Sequence, residues 1–476
     1  MKKYNNLNKT TKILINILAI IFFELIIHFL TPIIGKYIRQ VIVVLILLVL
    51  LLVLKKQKEK KLTSTNITNI IIIIGVLLRT VYIVNTPVWS RQHDVDYLDY
   101  EGHISYIEHI YRYGELPASN DWQYYHPPLH HLIGAAWLKI NVILFDMPLK
   151  TNLESLQILT LLYTSLMLYV ISRILARLKI KDKYKHLILL FFCVNPTMMI
   201  LSGSLNNDCL EYLFQFIILL YTLKYYEESS TKNSVILGIL IGLATLTKLN
   251  GIIMLGPVGL VFLYKLIKER KLRETVKNFS IVVLFTIIIG ISYQVRNYIL
   301  FKTIEVPQPG LKDLSLYYSF FERMIIPSIT DIYEKVFNAI EGDFNIFAVI
   351  VKSSLFGEWE FNISNSFYNI FVTVNLYLII FSSILIIKNI KNMLKDKVTL
   401  LLISNHIILM LSYYYFNYKY PYFCTMDFRY IVPTMLTGII LLVEKCDLEK
   451  RKTIKHLIDI PILLFIVLSV IFIFKI

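Results

Sequence analysis

A 476-residue chain that is 56% hydrophobic, with a mean hydropathy of +0.61, is too apolar for an ordinary soluble globular protein. The net charge of +16 is not gathered into one basic patch. It is spread in short clusters between apolar runs, which excludes a nucleic-acid surface and fits loops facing an anionic membrane leaflet.

A membrane-spanning helix needs roughly 20 mostly apolar residues. In chain order, the runs that meet this are Lys12–Ile34, Gln40–Leu54, Ile67–Asn85, Ser155–Leu175, Leu187–Gly203, Cys209–Tyr226 and Val235–Leu249. They continue with Gly251–Ile267, Phe279–Leu300, Phe367–Lys388, Val398–Phe416, Arg429–Val443 and Leu457–Phe474. The expected fold is therefore all-α and polytopic, with thirteen spans. The first run lacks a small-x-small cleavage site and is read as an anchor. Cys193, Cys209, Cys424 and Cys446 form no Cys-x-x-Cys and read as buried thiols.

Lys and Arg set the orientation. Lys2, Lys3 and Lys9 precede the first span, and the Lys55–Lys61 run follows the second. Further clusters lie at Arg177–Lys185, Lys268–Lys277, Lys391–Lys397 and Lys450–Lys455. With alternating spans all of them fall on the cytoplasmic side, provided that His130–Phe145 lies flat on the outer surface as an interfacial helix. Trp89, Trp122, Trp137 and Trp359 then land outside or at the outer interface. Two long exterior loops result, 86–154 and 301–366, with a short third from Asn417 to Phe428. The organisation reads as N-terminal helices and a basic loop (1–66), a membrane domain carrying the exterior loops (67–445), and a last loop and helix (446–476).

The first exterior loop is acidic, against the trend of the rest. Asp94, Asp96, Asp99, Glu101, Glu108, Glu115 and Asp121 face only Arg91 and Arg112 between Thr86 and Pro128. For one Asp, a solvated loop is explanation enough. The interleaved His93, His103 and tyrosines, just beyond a helix end, ask for more, and a carboxylate there can act as general base toward a hydroxyl. His126-Pro127-Pro128 then opens the surface helix. His126 and His130 are four apart and would share a face, with Glu101 or His103 nearby, if a divalent metal were held. No compact ligand motif is present, so no metal or other cofactor is expected to be required. Asn206-Asn207-Asp208, with Glu211 three residues on, reads as a turn and capping box. Lys248, Arg296 and Arg429 all fall at outer helix ends. Each alone is an ordinary snorkelling residue, but three on one side, opposite an acidic loop, suit an anion.

These features resemble the GT-C membrane glycosyltransferases, in particular the bacterial relatives of protein O-mannosyltransferases and of aminoarabinose transferases. The resemblance rests on the acidic motif after an early helix, the Ile104–Ile107 amphipathic segment and His126-Pro127-Pro128. It continues through Asn195-Pro196, Asn206–Asp208, Thr247-Lys248-Leu249-Asn250-Gly251, Ser353–Glu358 and Asp427-Phe428-Arg429-Tyr430. It spans about Ile67 to Pro433. The acidic motif here is Asp99-Tyr100-Glu101 where the family commonly has adjacent Asp-Glu, and the extra N-terminal helices are a departure.

The resemblance implies a multi-pass plasma-membrane enzyme with its active site facing outside. It would transfer a hexosyl or pentosyl group from a polyprenyl-phosphate donor to a glycan, lipid or protein acceptor. The implied base is Asp99, counted back from Gly114, with Asp94 next; Glu101 would orient the acceptor or a metal, and His103 is the fourth catalytic candidate. His126, Lys248, Arg296, Arg429, Tyr430 and Glu358 would bind substrate, and displacement would invert the sugar. The competing readings are a transporter or flippase, or a polymerase or ligase, of lipid-linked glycans. Charges clustered at one face, without an internal repeat, argue against transport.

Overall fold

The computed structural model describes residues 9–34, 37–96, 101–118, 123–304, 318–335 and 344–476. Lys2, Lys3, Asp99, Asp121 and Trp122 lie outside these residues. So do the side chains of Asp96 and Glu101, although their backbone is described.

The chain is an all-α polytopic membrane protein. Helices α1 (Lys9–Ile34), α2 (Ile38–Lys58) and α3 (Ser64–Asn85) come first. Leu47, Leu51 and Leu54 of α2 are exposed, as a helix facing lipid rather than water requires. A two-residue ladder follows, β1 (Val95–Asp96) antiparallel to β2 (Glu101–Gly102). Next come α4 (His103–Tyr113), α5 (Leu129–Phe145), α6 (Leu149–Glu154), α7 (Gln157–Leu175), α8 (Asp182–Val194), α9 (Pro196–Leu201), α10 (Asp208–Glu227) and α11 (Thr231–Thr247). A 3₁₀ turn, Leu249–Met254, leads into α12 (Leu255–Glu269), α13 (Leu272–Gly290) and α14 (Ser292–Phe301). The second long loop carries α15 (Phe320–Met324), α16 (Ile329–Tyr333) and α17 (Ile346–Phe356). The chain closes with α18 (Asn365–Ile390), α19 (Lys397–Lys419), α20 (Thr434–Leu448) and α21 (Lys452–Ile473).

All thirteen expected segments are helical. Among the described residues, however, eight helices are long and apolar enough to cross a membrane by length and composition, or nine if α13 and α14, bent by 43°, are one span. The remaining four differ for local reasons. Pro196 divides α8 from α9; α10 carries Asp208, Glu211 and Lys224; α11 has 17 residues and α20 has 15. The twelfth expected helix does not begin at Arg429. Asp427 caps a 3₁₀ turn, Phe428–Ile431, by accepting from Arg429 N at 2.6 Å, and α20 starts only at Thr434.

Two packing devices hold the bundle. Gly238 and Gly242 of α11 form a Gly-x-x-x-Gly face against α13. A Cβ at Gly238 would lie 2.7 Å from Val282 O, and one at Gly242 2.7 Å from Ile289 Cβ, so the close approach requires glycine. At the α8–α9 break Pro196 has no N–H to donate to Phe192 O. The fully buried Arg79 of α3 supplies the missing donors, to Phe192 O at 3.0 Å, Cys193 O at 2.9 Å and Gly75 O at 3.0 Å.

Sidedness is visible in the contacts. The basic segments meet at one end, where Lys181 pairs with Asp447 at 2.6 Å, Ser64 Oγ lies 3.3 Å from His186 Nε2, and Lys397 Nζ sits 4.6 Å from the Tyr226 ring. The end of α3, the start of α10, the end of α11 and the turn before α20 meet at the other. Helix α5 covers that second end. It buries His130, His131, Gly134, Ala135 and Leu138 against α4 and leaves Leu132, Ile140, Ile143 and Leu144 exposed, the two-faced pattern of an interfacial helix.

Candidate active site

Four charged side chains from four separate segments converge beyond the helix ends. Asp94 Oδ2 lies 3.1 Å from Arg429 Nη1, and the same nitrogen lies 3.5 Å from Asp208 Oδ2. Lys248 Nζ donates to Asp208 Oδ1, and Asn206 Nδ2 donates to Asp208 Oδ2 at 2.9 Å. Tyr430 closes the group: its ring centroid is 4.8 Å from Lys248 Nζ and 5.0 Å from the Arg429 guanidinium.

Local sequence explains each placement. Asp94 has φ +59°, a left-handed conformation that Asp tolerates better than most residues. Its carbonyl accepts from His103 N at 3.1 Å, which fixes the turn into the β1–β2 ladder. Gln92 anchors the preceding strand of loop by donating to Gly203 O at 2.8 Å and accepting from Leu205 N at 2.7 Å. Lys248 terminates α11 in an extended conformation. The turn after it closes through Gly251 N to Lys248 O at 2.8 Å, and a Cβ on Gly251 would sit 2.3 Å from Ala244 C. Only glycine permits the turn that aims Lys248 at Asp208.

The four side chains differ in access: Asp208 is 1% exposed, Arg429 4%, Lys248 12% and Asp94 26%. Of the two carboxylates in the group, Asp94 is the more exposed. Burial works against its ionisation, but the Arg429 guanidinium and His93 outweigh it and hold the carboxyl below its ordinary range. Burial, reinforced by Lys248, pushes His126 down to about 3. Burial and His131 hold His103 well below its usual value. These imidazoles are therefore neutral; His103 Nδ1 lies 2.8 Å from His131 Nε2, and the His103 ring stacks on His126 at 5.3 Å.

Beside this group, His93 Nδ1 lies 3.1 Å from Glu358 Oε2, and His93 Nε2 lies 4.0 Å from Asp427 Oδ2. Burial, together with the charge of Glu358, raises Asp427 to about 7. On the far side of Lys248 and Tyr430 a narrow, water-sized recess runs between α10 and α19, walled by Glu211, Gln215, Ile253, Leu409, Tyr413 and Phe416.

Of the residues expected from sequence, Asp94, Lys248, Arg429 and Tyr430 come together, with His126 in electrostatic reach and Glu358 adjoining through His93. Arg296 does not join them. Its Nη2 donates to Leu116 O at 3.2 Å and Pro117 O at 2.6 Å, which ties α14 to the first loop. Among the described residues His126 and His130 belong to no cluster of three or more metal-capable groups, and His130 Nε2 lies 2.8 Å from Leu205 O. Asp99 lies outside the described residues. Asp208, expected as part of a capping box, instead binds both cations, while Glu211 accepts from Gln215 Nε2 at 2.5 Å. His93 and Asp427 were noted in the sequence only as parts of the acidic run and of the Asp427-Phe428-Arg429-Tyr430 motif, with no role of their own.

Residues 126–293 match the family of dolichyl-phosphate-mannose-protein mannosyltransferases. Among solved structures, the chain is similar to apo ArnT from Cupriavidus metallidurans, with 13% identity, a TM-score of 0.43, and coverage of 75% of this chain and 56% of that one. It is also similar to the Archaeoglobus fulgidus oligosaccharyltransferase solved with a tethered acceptor peptide, with 13% identity, a TM-score of 0.48, and coverage of 85% and 54%. The chain thus spans little more than half the length of either. No curated protein matches it. The family match agrees with the resemblance to GT-C membrane glycosyltransferases over residues 126–293, and the long apolar helices make the chain a multi-pass membrane protein.

Proposed function

We propose that this protein transfers a sugar from a polyprenyl-phosphate donor to an acceptor hydroxyl or amine at the outer membrane face, inverting the sugar. The observation that carries the reading is the buried Asp94–Arg429–Asp208–Lys248 group, in which the accessible member is a carboxylate and its partners are cations. The family match over residues 126–293, which includes His126, Asp208 and Lys248, supports the donor class.

The donor's phosphate is an anion at the membrane surface on an apolar tail. Lys248 and Tyr430 line a narrow recess with Leu409, Tyr413 and Phe416 on its other wall, which sets apolar side chains beside the cations that would meet the phosphate. Arg429 offers a planar fork suited to phosphate oxygens. Once the phosphate draws on that guanidinium, Asp94 loses part of the charge that holds its carboxyl low, and its basicity rises. Asp94 then takes the acceptor's proton as the acceptor oxygen or nitrogen bonds to the anomeric carbon. The bond from that carbon to the phosphate oxygen breaks, and its electron pair leaves with the phosphate, held by Lys248 and Arg429. A phosphate leaves readily without a general acid. Solvent recovers the proton from Asp94 after the product departs.

The test is transfer in proteoliposomes given polyprenyl-phosphate sugars and membrane extract as acceptor source. The reading expects labelled sugar on acceptor material with inverted anomeric configuration, lost in Asp94→Asn. Retained configuration, or transfer that persists in Asp94→Asn, would overturn it.

A further inference from the structure

His93, Glu358 and Asp427 come from three separate exterior segments, yet one ring nitrogen of His93 and one oxygen of each carboxylate lie within 4.8 Å of one another. Asp427 Oδ2 is buried and has no hydrogen-bond partner among the described residues, and it points toward His93 Nε2 at 4.0 Å. A buried carboxylate oxygen left without a donor is costly. Asp427 Oδ1 is already used as the cap of the turn that carries Arg429, so the open oxygen is the one aimed into the cluster.

Charge points the same way. Among the described residues, the joined site sets the carboxyl groups of Asp94, Asp208, Glu358 and Asp427 against the cations Lys248 and Arg429. Carboxyl groups outnumber cations in this buried region, an imbalance that a bound cation would reduce. Its ligands would be one imidazole nitrogen and two carboxylate oxygens, a set that suits zinc or manganese. Metal–ligand bonds of about 2.0–2.2 Å require the three donors to close by roughly an ångström, within reach of side-chain rotation. His93 and Asp427 have side chains 3% and 2% exposed, whereas Glu358 is 16% exposed and leaves a path for entry and a position for water.

We propose that His93, Glu358 and Asp427 bind a divalent cation of the zinc or manganese class, which joins the first and second exterior loops to the turn bearing Arg429. Asp94 and Asp208 are not ligands, since both are held by the cations of the active site. The site therefore stands or falls independently of sugar transfer.

The test uses full-length protein in detergent, stripped with chelator and titrated with ZnCl₂ or MnCl₂ alone. Bound metal is read by elemental analysis after equilibrium dialysis, and thermal unfolding is followed with and without metal. One equivalent of cation and a metal-dependent rise in Tm are expected for the wild type. Binding should weaken by about 10-fold or more in His93→Ala and Asp427→Asn, and remain unchanged in Asp94→Asn. A wild type that takes up no cation overturns the proposal whatever the variants do. So does metal uptake that His93→Ala and Asp427→Asn leave intact, or that Asp94→Asn abolishes.

Discussion

Replacing Lys248 by Met separates its two roles. The Nζ of Lys248 is bound to Asp208, whose side chain is 1% exposed. Removing one partner of a buried pair costs about 3–5 kcal/mol. Asp208 keeps Arg429 Nη1 at 3.5 Å and Asn206 Nδ2 at 2.9 Å, so the lower end applies, about 3 kcal/mol, or on the order of 10² in the unfolding equilibrium. Removing the uncompensated charge as well, in Lys248→Met/Asp208→Asn, should return most of this and leave a net loss of about 1 kcal/mol. Donor binding should behave differently. If Lys248 holds the donor phosphate, both the single and the double variant bind polyprenyl-phosphate sugar weakly. Tryptophan fluorescence during chemical unfolding in detergent gives the stability, and filter binding of labelled donor gives the affinity. Wild-type donor affinity in the double variant would refute the reasoning, because Lys248 would then serve only to neutralise Asp208.

Three further outcomes follow from the packing and the imidazoles. Gly251→Ala places a methyl 2.3 Å from Ala244 C; it should lower stability by more than about 1 kcal/mol and reduce donor affinity as Lys248 is displaced, both read by the same two assays. Arg79→Met withdraws the donors to Phe192 O and Cys193 O; a loss of about 2–4 kcal/mol is expected in unfolding measurements, with partial recovery in Arg79→Lys. Burial and Lys248 hold His126 at about 3, and burial holds His130 at about 4, against 6.5 when unfolded. The unfolded chain then binds more protons between these values, so stability is complete above pH 6.5 and falls as pH drops toward 4. His126→Gln should flatten part of that slope in a pH series of unfolding midpoints.

Most of the helices and their sidedness were legible because apolar length and Lys/Arg clustering act locally along the chain. The span count was less legible. Pro196 cuts one run, and Asp208 and Glu211 enter another for the sake of the site rather than the bilayer. Lys248 and Arg429 were expected because helix-end cations are visible once topology is assigned, and Tyr430 because it adjoins Arg429 in the same motif. Topology gives an end of a helix but not the direction of a side chain, so Arg296 was grouped with them although its guanidinium turns to the Leu116 and Pro117 carbonyls. Asp208 was missed because Asn206-Asn207-Asp208 with Glu211 satisfies a local capping pattern. Its partners lie 40 and 221 residues away. The His93–Glu358 contact spans 265 positions, a distance over which sequence pattern carries no signal without the fold.

The central claim is that Asp94 is the base of a group built with Arg429, Asp208 and Lys248. Single-turnover release of polyprenyl phosphate, measured with saturating donor and acceptor-bearing membranes, tests it most directly when Asp94→Asn is compared with Asp99→Asn and Glu101→Gln in folded protein. The account predicts that Asp94→Asn slows release by ~10²–10⁴ while donor affinity is kept, and that the other two variants lose far less. Near-normal release in Asp94→Asn, with Asp99→Asn or Glu101→Gln inactive, would contradict it.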